Sequence, residues 1–575
     1  MTTDIAQQLT NLSIVPPQKE AFDAWLQMKD AIAFMKASVN SDEFVVYASA
    51  EFTFLHAVLL KSAALNPPDY DDLISWNFNA TSSWEIWSTT GDNPSVSISQ
   101  PMEDTRSKSF NGGEQLVFAR YFEGRIGNKN NYEILQKFVH ILGLHYMAER
   151  NAYCVLNEYG DIEEAIRIDQ NPGKNGSSGT TIITIKRNLI DKYAVLTDTV
   201  LVCTFDFTRF RLSNFSGWSD GGGVKRFAHD DLIYKLHIQP GYASYMRGVQ
   251  IIRAQTSKES VAREFSFGEQ PNRQYASFIA HDFKNDRIVE ISCSPDQTTN
   301  YFTKSDLPFE LSPAFFRPEV LVRYKSDSEK YQVKERSISC RGAWYLSGYD
   351  INEAGQVHAY ICDLRDLPYE EQLYWKAHNE APKGPISKRA FTADFEGSWK
   401  MDYDPLVSLK ERLREWNRNS FPWWTLRNEN LLDQVHYPVT SSADEWANEM
   451  LQLDQLVVEG VEKQWLKQQA LILGRTPDIK IGSLKFIEEC LVGIGFEVED
   501  ARQIISPFSE LHLLRSKLKG HASGEEAVKI KQETIAKYGN YKKHFRSLCA
   551  AIDKELKTLQ ETFDAHICKK ANPGS

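Results

Sequence analysis

The sequence predicts a multidomain protein in which an α/β or α+β region is followed by an all-α C-terminal bundle. Three observations predict it. The chain has 575 residues, too many for one hydrophobic core. Between about Phe44 and Lys400, short apolar-aromatic runs are broken by Gly, Asn, Asp and Pro, the pattern of strands and turns. From Ser441 apolar residues recur at steps of three and four, the period of one helix face. The expected division is a mixed region over 1–435, in one or two domains, and a helical domain over 436–575. The boundary is expected in DQVHYPVTSS, Asp433 to Ser442.

In chain order, FVVYASAEFTFLHAVLL from Phe44, TTIITIKRN from Thr180 and VLVCTFDFTRFRL from Val200 read as strands. YEILQKFVHILGLHYMAER from Tyr132 has apolar residues at helical spacing and is expected to be a helix. YASFIAHDFKNDRIVEISCS from Tyr275 has KND between two alternating runs, a hairpin signal, and AWYLSGYDINEAGQVHAYICDL gives another around NEAGQ. Pro368 opens a short helix, PYEEQLYWKAH. SSADEWANEMLQLDQLVVEGVEKQWLKQQALIL reads as one or two helices ending at Gly474, followed by GSLKFIEECLVGIG and VEDARQIISPFSELHLLRSKLK. One long helix is expected from about Glu525, with Tyr541, Phe545, Leu548, Ile552, Leu556, Leu559 and Phe563 on a single apolar face. The C-terminal part is thus expected to be a bundle of four or five helices.

Composition narrows the function classes. No run of about eighteen apolar residues occurs, so no membrane partner is expected. The N-terminus MTTDIAQQLTNLSIVPP carries Asp4 and no Lys or Arg, the wrong charge pattern for a signal peptide, so the expected location is the cytoplasm. Cys154, Cys203, Cys293, Cys340, Cys362, Cys490, Cys549 and Cys568 lie far apart with no CxxC pair. They read as reduced thiols rather than zinc ligands, and neither metal nor cofactor is expected. A net charge of −11 argues against broad DNA binding, which needs clustered cations. Arg515, Lys517, Lys519, His521, Lys529 and Lys531 nevertheless concentrate locally, enough for a small basic cleft.

Several motif-like stretches read as ordinary structure. GKNGSSGT at Gly173 lacks the GxxxxGK[ST] order of a phosphate loop. Gly217-Trp218-Ser219-Asp220-Gly221 matches GxSxG, but the glycines that follow do not start the helix a nucleophile elbow needs. His140 and His145, on the helix expected from Tyr132, read as core or boundary histidines. Phe421-Pro422-Trp423-Trp424 and Tyr374-Trp375 could stack on bases, yet aromatic residues make up 12% of the chain, which favours packing. An N-terminal enzyme would need a pocket gathering His229, Asp230, Asp231 or similar groups.

LLRSKLKGHAS, Leu513 to Ser523, remains. At 100° per residue a six-residue step leaves Arg515 and His521 about 120° apart on one unbroken helix. Gly520 can end the helix in a left-handed turn and fold His521 back toward the arginine. Without such a fold the pair is a solvated helix end, with cations favoured by the dipole.

LLRSKLKGHASG, late in an all-α domain and ahead of the closing helix, resembles the HEPN family, whose active members carry Arg, four to six residues, then His. The resemblance covers about the last quarter of the chain. It implies a metal-independent endoribonuclease acting on RNA, in which Arg515 holds the scissile phosphate and His521 is general base or acid. Ser516, standing where many active members have Asn, Asp or His, would orient the strand with Lys517 and Lys519. Family members usually pair as homodimers so that two motifs line one cleft. GEQLVFARYFEGR and LSPAFFRPEVLVRY resemble stretches of uncharacterised bacterial proteins, and the layout resembles anti-phage abortive-infection systems. That analogy implies a toxin whose N-terminal region senses a phage-derived or protein trigger. The alternative is a non-catalytic dimerisation, nucleotide-binding or partner-binding protein that uses the helical domain as a scaffold.

Overall fold

The computed structural model describes residues 4–566 except 66–73, 75–83, 100–111, 123–128, 172–178, 212, 219–222, 266–272, 335, 399–402, 429, 479 and 520–523. The chain forms two compact units, Met1–Asn157 with Ile162–Asn272, and Arg273–Ser575 with Glu158–Asp161. Sheet dominates from about residue 43 to 380, and the region from about 400 to 566 is all helix. Among the described residues, no helix is long and apolar enough to cross a membrane.

The first unit is built on an antiparallel sheet of 11 strands. Its spatial order runs Lys225–His229, Leu232–Gln239, Ala243–Ile252, Thr199–Phe210, Thr53–Lys61, Glu43–Ala50, Thr180–Lys186, Ile162–Asn171, Ala152–Leu156, His145–Met147, with Glu114–Gln115 paired beside Thr53–Lys61. The runs are rich in Val, Ile, Phe and Thr, which suit a pleated, packed surface. Helices Ile5–Leu12, Lys29–Ser38 and Arg187–Thr197 bury Leu9, Met35, Ile190 and Tyr193 in the same core as Phe44, Ile183 and Phe205.

The helix expected from Tyr132 forms only as Gln136–Ile141, between strands Lys129–Ile134 and His145–Met147. Gly143, at φ 62, turns the chain left-handed after Leu142, and His145–Met147 then pairs with Ala152–Cys154. Strand pairing on both sides thus overrides a helical period carried by Phe138 and Val139, the residues that short helix buries.

In the second unit a sheet of 6 strands has the order Arg287–Ser292, Ser277–Asp282, Pro313–Phe316, Val357–Tyr360, Asp350–Ile351, with Asn379–Glu380 beside Pro313–Phe316. Both expected hairpins form, at KND with Asp286 at φ 47 and at NEAGQ. Helix Tyr369–His378 follows Pro368 and buries Trp375 against Phe316.

The bundle helices are α1 (Pro405–Arg418), α2 (Leu431–Gln434), α3 (Ala443–Val457), α4 (Lys463–Ile472), α5 (Ser483–Ile494), α6 (Val498–Lys519), α7 (Gly524–Tyr538) and α8 (Tyr541–His566). The boundary expected at 436 falls inside this region, because α1 shares its core through Leu409, Leu413 and Trp416. Trp423 and Trp424 lie in that core too, so the aromatic cluster is packing. The long helix expected from Glu525 is two helices, since Gly539 at φ 82 breaks the chain between α7 and α8. The count of four or five helices was low for that reason, and because α1 and α2 lie upstream of the expected boundary.

One buried ion cluster ties the sheet part of this unit to the bundle. Lys325, on helix Val322–Ser326, places its ammonium 2.8 Å from Glu445 and 2.7 Å from Glu449, both on α3. Glu445 also accepts from the N–H groups of Val439 and Thr440, and Glu449 from that of His436. Burial works against the Lys325 ammonium, but Glu449 and Glu445 outweigh it and hold its pKa above the ordinary lysine value.

Removing one partner of a buried, hydrogen-bonded ion cluster costs about 3–5 kcal/mol, because the remaining charges stay buried. Lys325→Met is therefore expected to lower stability by about that much, against about 0–1 kcal/mol for an exposed pair. Lys557→Met, at the exposed Lys557–Glu561 pair, is the control in denaturant unfolding. Equal shifts in the two variants would refute the assignment.

Candidate functional site

The site forms where α6 crosses α3. Ser442 caps α3 by accepting from the Asp444 and Glu445 N–H groups, and the helix buries Trp446, Met450, Leu453 and Val457. That inner stripe carries Asp454 with it, and its side chain is 0% exposed. The helix α6 buries Ile504, Phe508, Leu511 and Leu514 and packs along α3. The turn after α3 is held closely. Thr425 N–H donates to the Gly460 carbonyl at 2.8 Å, and a Cβ on Gly460 would sit 2.4 Å from the Trp424 indole nitrogen. Glycine is thus required there by close approach, and Glu459 beside it is fixed in place.

Around Asp454 three side chains converge. His512 Nδ1 lies 3.1 Å from Asp454 Oδ1, Arg515 Nε lies 3.8 Å from Asp454 Oδ2, and Arg515 Nη2 lies 3.2 Å from Glu459 Oε1. His512 and Arg515 are three residues apart on α6, which places them on one face, a turn apart. An ionised carboxylate only accepts, so Nδ1 of His512 is the nitrogen that donates to it, and Nε2 is the ring nitrogen left for another partner. The His512 side chain is 49% exposed. Burial pushes the Asp454 carboxyl above the ordinary aspartate range, and His512 and Arg515 pull it back.

The residues expected from the sequence are not all brought together. Arg515 is in this site. Gly520 and His521 lie outside the described residues. Ser516 is half-buried, and Lys517, rotated about 200° from Arg515, pairs with Glu526 at 2.7 Å. Lys519, one turn beyond Arg515, is exposed on the same side. The local concentration of cations is matched by carboxylates. Arg515 faces Glu459, Lys517 faces Glu526, Lys529 faces Glu533 at 3.8 Å and Lys531 faces Asp444 at 3.9 Å.

Sequence reasoning missed His512, Asp454 and Glu459. His512 was within reach as the first residue of an H-x-x-R spacing on a helix. Asp454 and Glu459, more than fifty residues upstream, carry no local signal. Elsewhere, His140 is exposed on its short helix and His145 is exposed on an edge strand, a correction to the core or boundary positions expected for them. His229 ends strand Lys225–His229, paired with Leu232, and Asp230 and Asp231 form the turn that follows, where Asp231 binds Arg253 at 3.0 Å. Ser219 and the loop at 173–178 lie outside the described residues. Burial pushes the thiols of Cys203 and Cys490 up to about 12. Among the described residues no three His, Cys, Asp or Glu side chains gather in an arrangement that could hold a metal ion.

The raised pKa of Asp454 carries a stability consequence with a definite sign. A carboxyl whose folded pKa lies above its unfolded value binds its proton more tightly in the fold, so its contribution is favourable at low pH and is lost as pH rises through the folded pKa. At neutral pH the buried charge is a burden, and neither His512 nor Arg515 would be left buried without it. Asp454→Asn is therefore expected to leave the thermal midpoint at neutral pH unchanged or higher, and to remove part of the wild type's gain on mild acidification. A marked fall at neutral pH would contradict this.

Comparisons with protein-family models, with curated proteins and with solved structures return no match for this chain.

Proposed function

We propose that the helical region is a metal-independent endoribonuclease of the HEPN type, controlled by the sheet-rich region in anti-phage defence or as a toxin. Arg515 holds the scissile phosphate of an RNA strand, His521 moves a proton, and Ser516, Lys517 and Lys519 orient the strand. Two copies pair so that their motifs share a cleft in the cytoplasm, and a phage-derived or protein trigger acts on the N-terminal region.

The observation that carries this reading is that Arg515, partly exposed near the end of α6, stands three residues from the half-exposed imidazole of His512, both reaching Asp454. Cleavage without a metal uses the 2′-hydroxyl as internal nucleophile. It needs a group that titrates near neutrality and a fixed cation for the charge that builds on phosphate. Arginine supplies a permanent, forked donor for that phosphate. Its partner Glu459 is 43% exposed, so an incoming phosphate can displace that contact.

A second reading is a scaffold, and the contact of Arg515 with both Glu459 and Asp454 favours it, since structural ion networks look the same. Purified full-length chain incubated with total RNA in EDTA separates the two. The ribonuclease reading expects cleavage that falls about 10²–10³-fold in Arg515→Ala, with a thermal unfolding transition that shows the variant still folds. Wild type that cuts no better than Arg515→Ala or His521→Ala would overturn it.

A further inference from the structure

We infer that His512, oriented by Asp454, is a catalytic general base of this site, an inference that rests on the ribonuclease reading above. The arrangement is that of a working acid–base pair. A fully buried carboxylate lies 3.1 Å from Nδ1, and the His512 side chain is 49% exposed, which leaves the ring within reach of a ligand. Arg515, one turn along the same face, sits where it would meet the phosphate next to a hydroxyl bound at Nε2. The charges around Asp454 are His512 and Arg515 from α6 and Glu459 from the turn after α3.

In the step assigned to it, His512 Nε2 takes the proton of the ribose 2′-hydroxyl as that oxygen forms a bond to phosphorus. The bond from phosphorus to the 5′-oxygen breaks, and the leaving oxygen takes a proton from water. The products are a 2′,3′-cyclic phosphate and a 5′-hydroxyl, and His512 returns its proton to solvent. No electrons change hands and no co-reactant is needed. Asp454 is a positioning residue. It selects the tautomer that leaves Nε2 free and favours the imidazolium that forms.

The test is the pH dependence of kcat/KM for RNA cleavage by full-length chain. Wild type is expected to rise with unit slope below an inflection and to level off above it. His512→Gln is expected to lose about 10²–10⁴-fold and to lose that inflection. His512→Ala should be partly rescued by added imidazole. Asp454→Asn is expected to move the inflection to lower pH, since removing the opposite charge disfavours the imidazolium, an effect that a purely structural role would not give. Thermal midpoints confirm that each variant folds. If wild type cuts and His512→Gln cuts equally with the same inflection, the inference falls while the ribonuclease reading stands. An unmoved inflection in Asp454→Asn overturns it as well, even where the His512 variants fail to fold. Wild type that does not cut RNA overturns both.

Discussion

A carboxylate taken out of water must be matched by a cation and by hydrogen bonds, and α3 takes in three of them. Glu445, Glu449 and Asp454 have side chains 17%, 6% and 0% exposed. Each carries an effective desolvation penalty of several kcal/mol that only correct partners offset. Near the start of α3 the partner is Lys325, from the sheet part of the same unit, and near its end the partners are His512 and Arg515 from α6. One helix therefore fixes both the docking of the bundle on the sheet part and the shape of the candidate site.

The two ends of α3 differ in what their partners can do. Lys325 is enclosed, with a side chain 11% exposed, and its charge is spent on structure. His512 and Arg515 are partly exposed, so the electrostatic demand that holds them leaves both side chains within reach of solvent. Under the proposed ribonuclease reading, the burden of burying Asp454 has a functional return, the pattern expected where a local rule of stability is broken at a working site. For the trigger proposed for the N-terminal region, the ion cluster at Lys325 offers a physical route, since a shift of helix Val322–Ser326 would pull on α3.

Period and turn chemistry made much of the fold legible. The hairpins at KND and NEAGQ, the helix after Pro368 and the apolar stripe of α8 all follow from local pattern. The failures came where tertiary context decided. Gly143 and the pairing of His145–Met147 cut short the helix expected from Tyr132, and Gly539 split α7 from α8. The bundle starts earlier than expected because α1, with Leu409, Leu413 and Trp416, joins its core across the stretch between Arg418 and Leu431 that holds no helix among the described residues. In the site, Arg515 was visible as part of a spaced motif. Asp454 could not be found, because an aspartate inside an amphipathic helix looks like any solvated one until packing turns it inward.

The proposed cleavage uses the 2′-hydroxyl as internal nucleophile, and one substrate tests that directly. A short RNA carrying a single 2′-deoxyribose at a site the full-length chain cuts, compared in EDTA with its all-ribose twin, isolates that group. The account predicts that cutting at the deoxy position stops while cutting elsewhere continues, with 2′,3′-cyclic phosphate ends at the remaining cuts. Undiminished cutting at the deoxy position would contradict it.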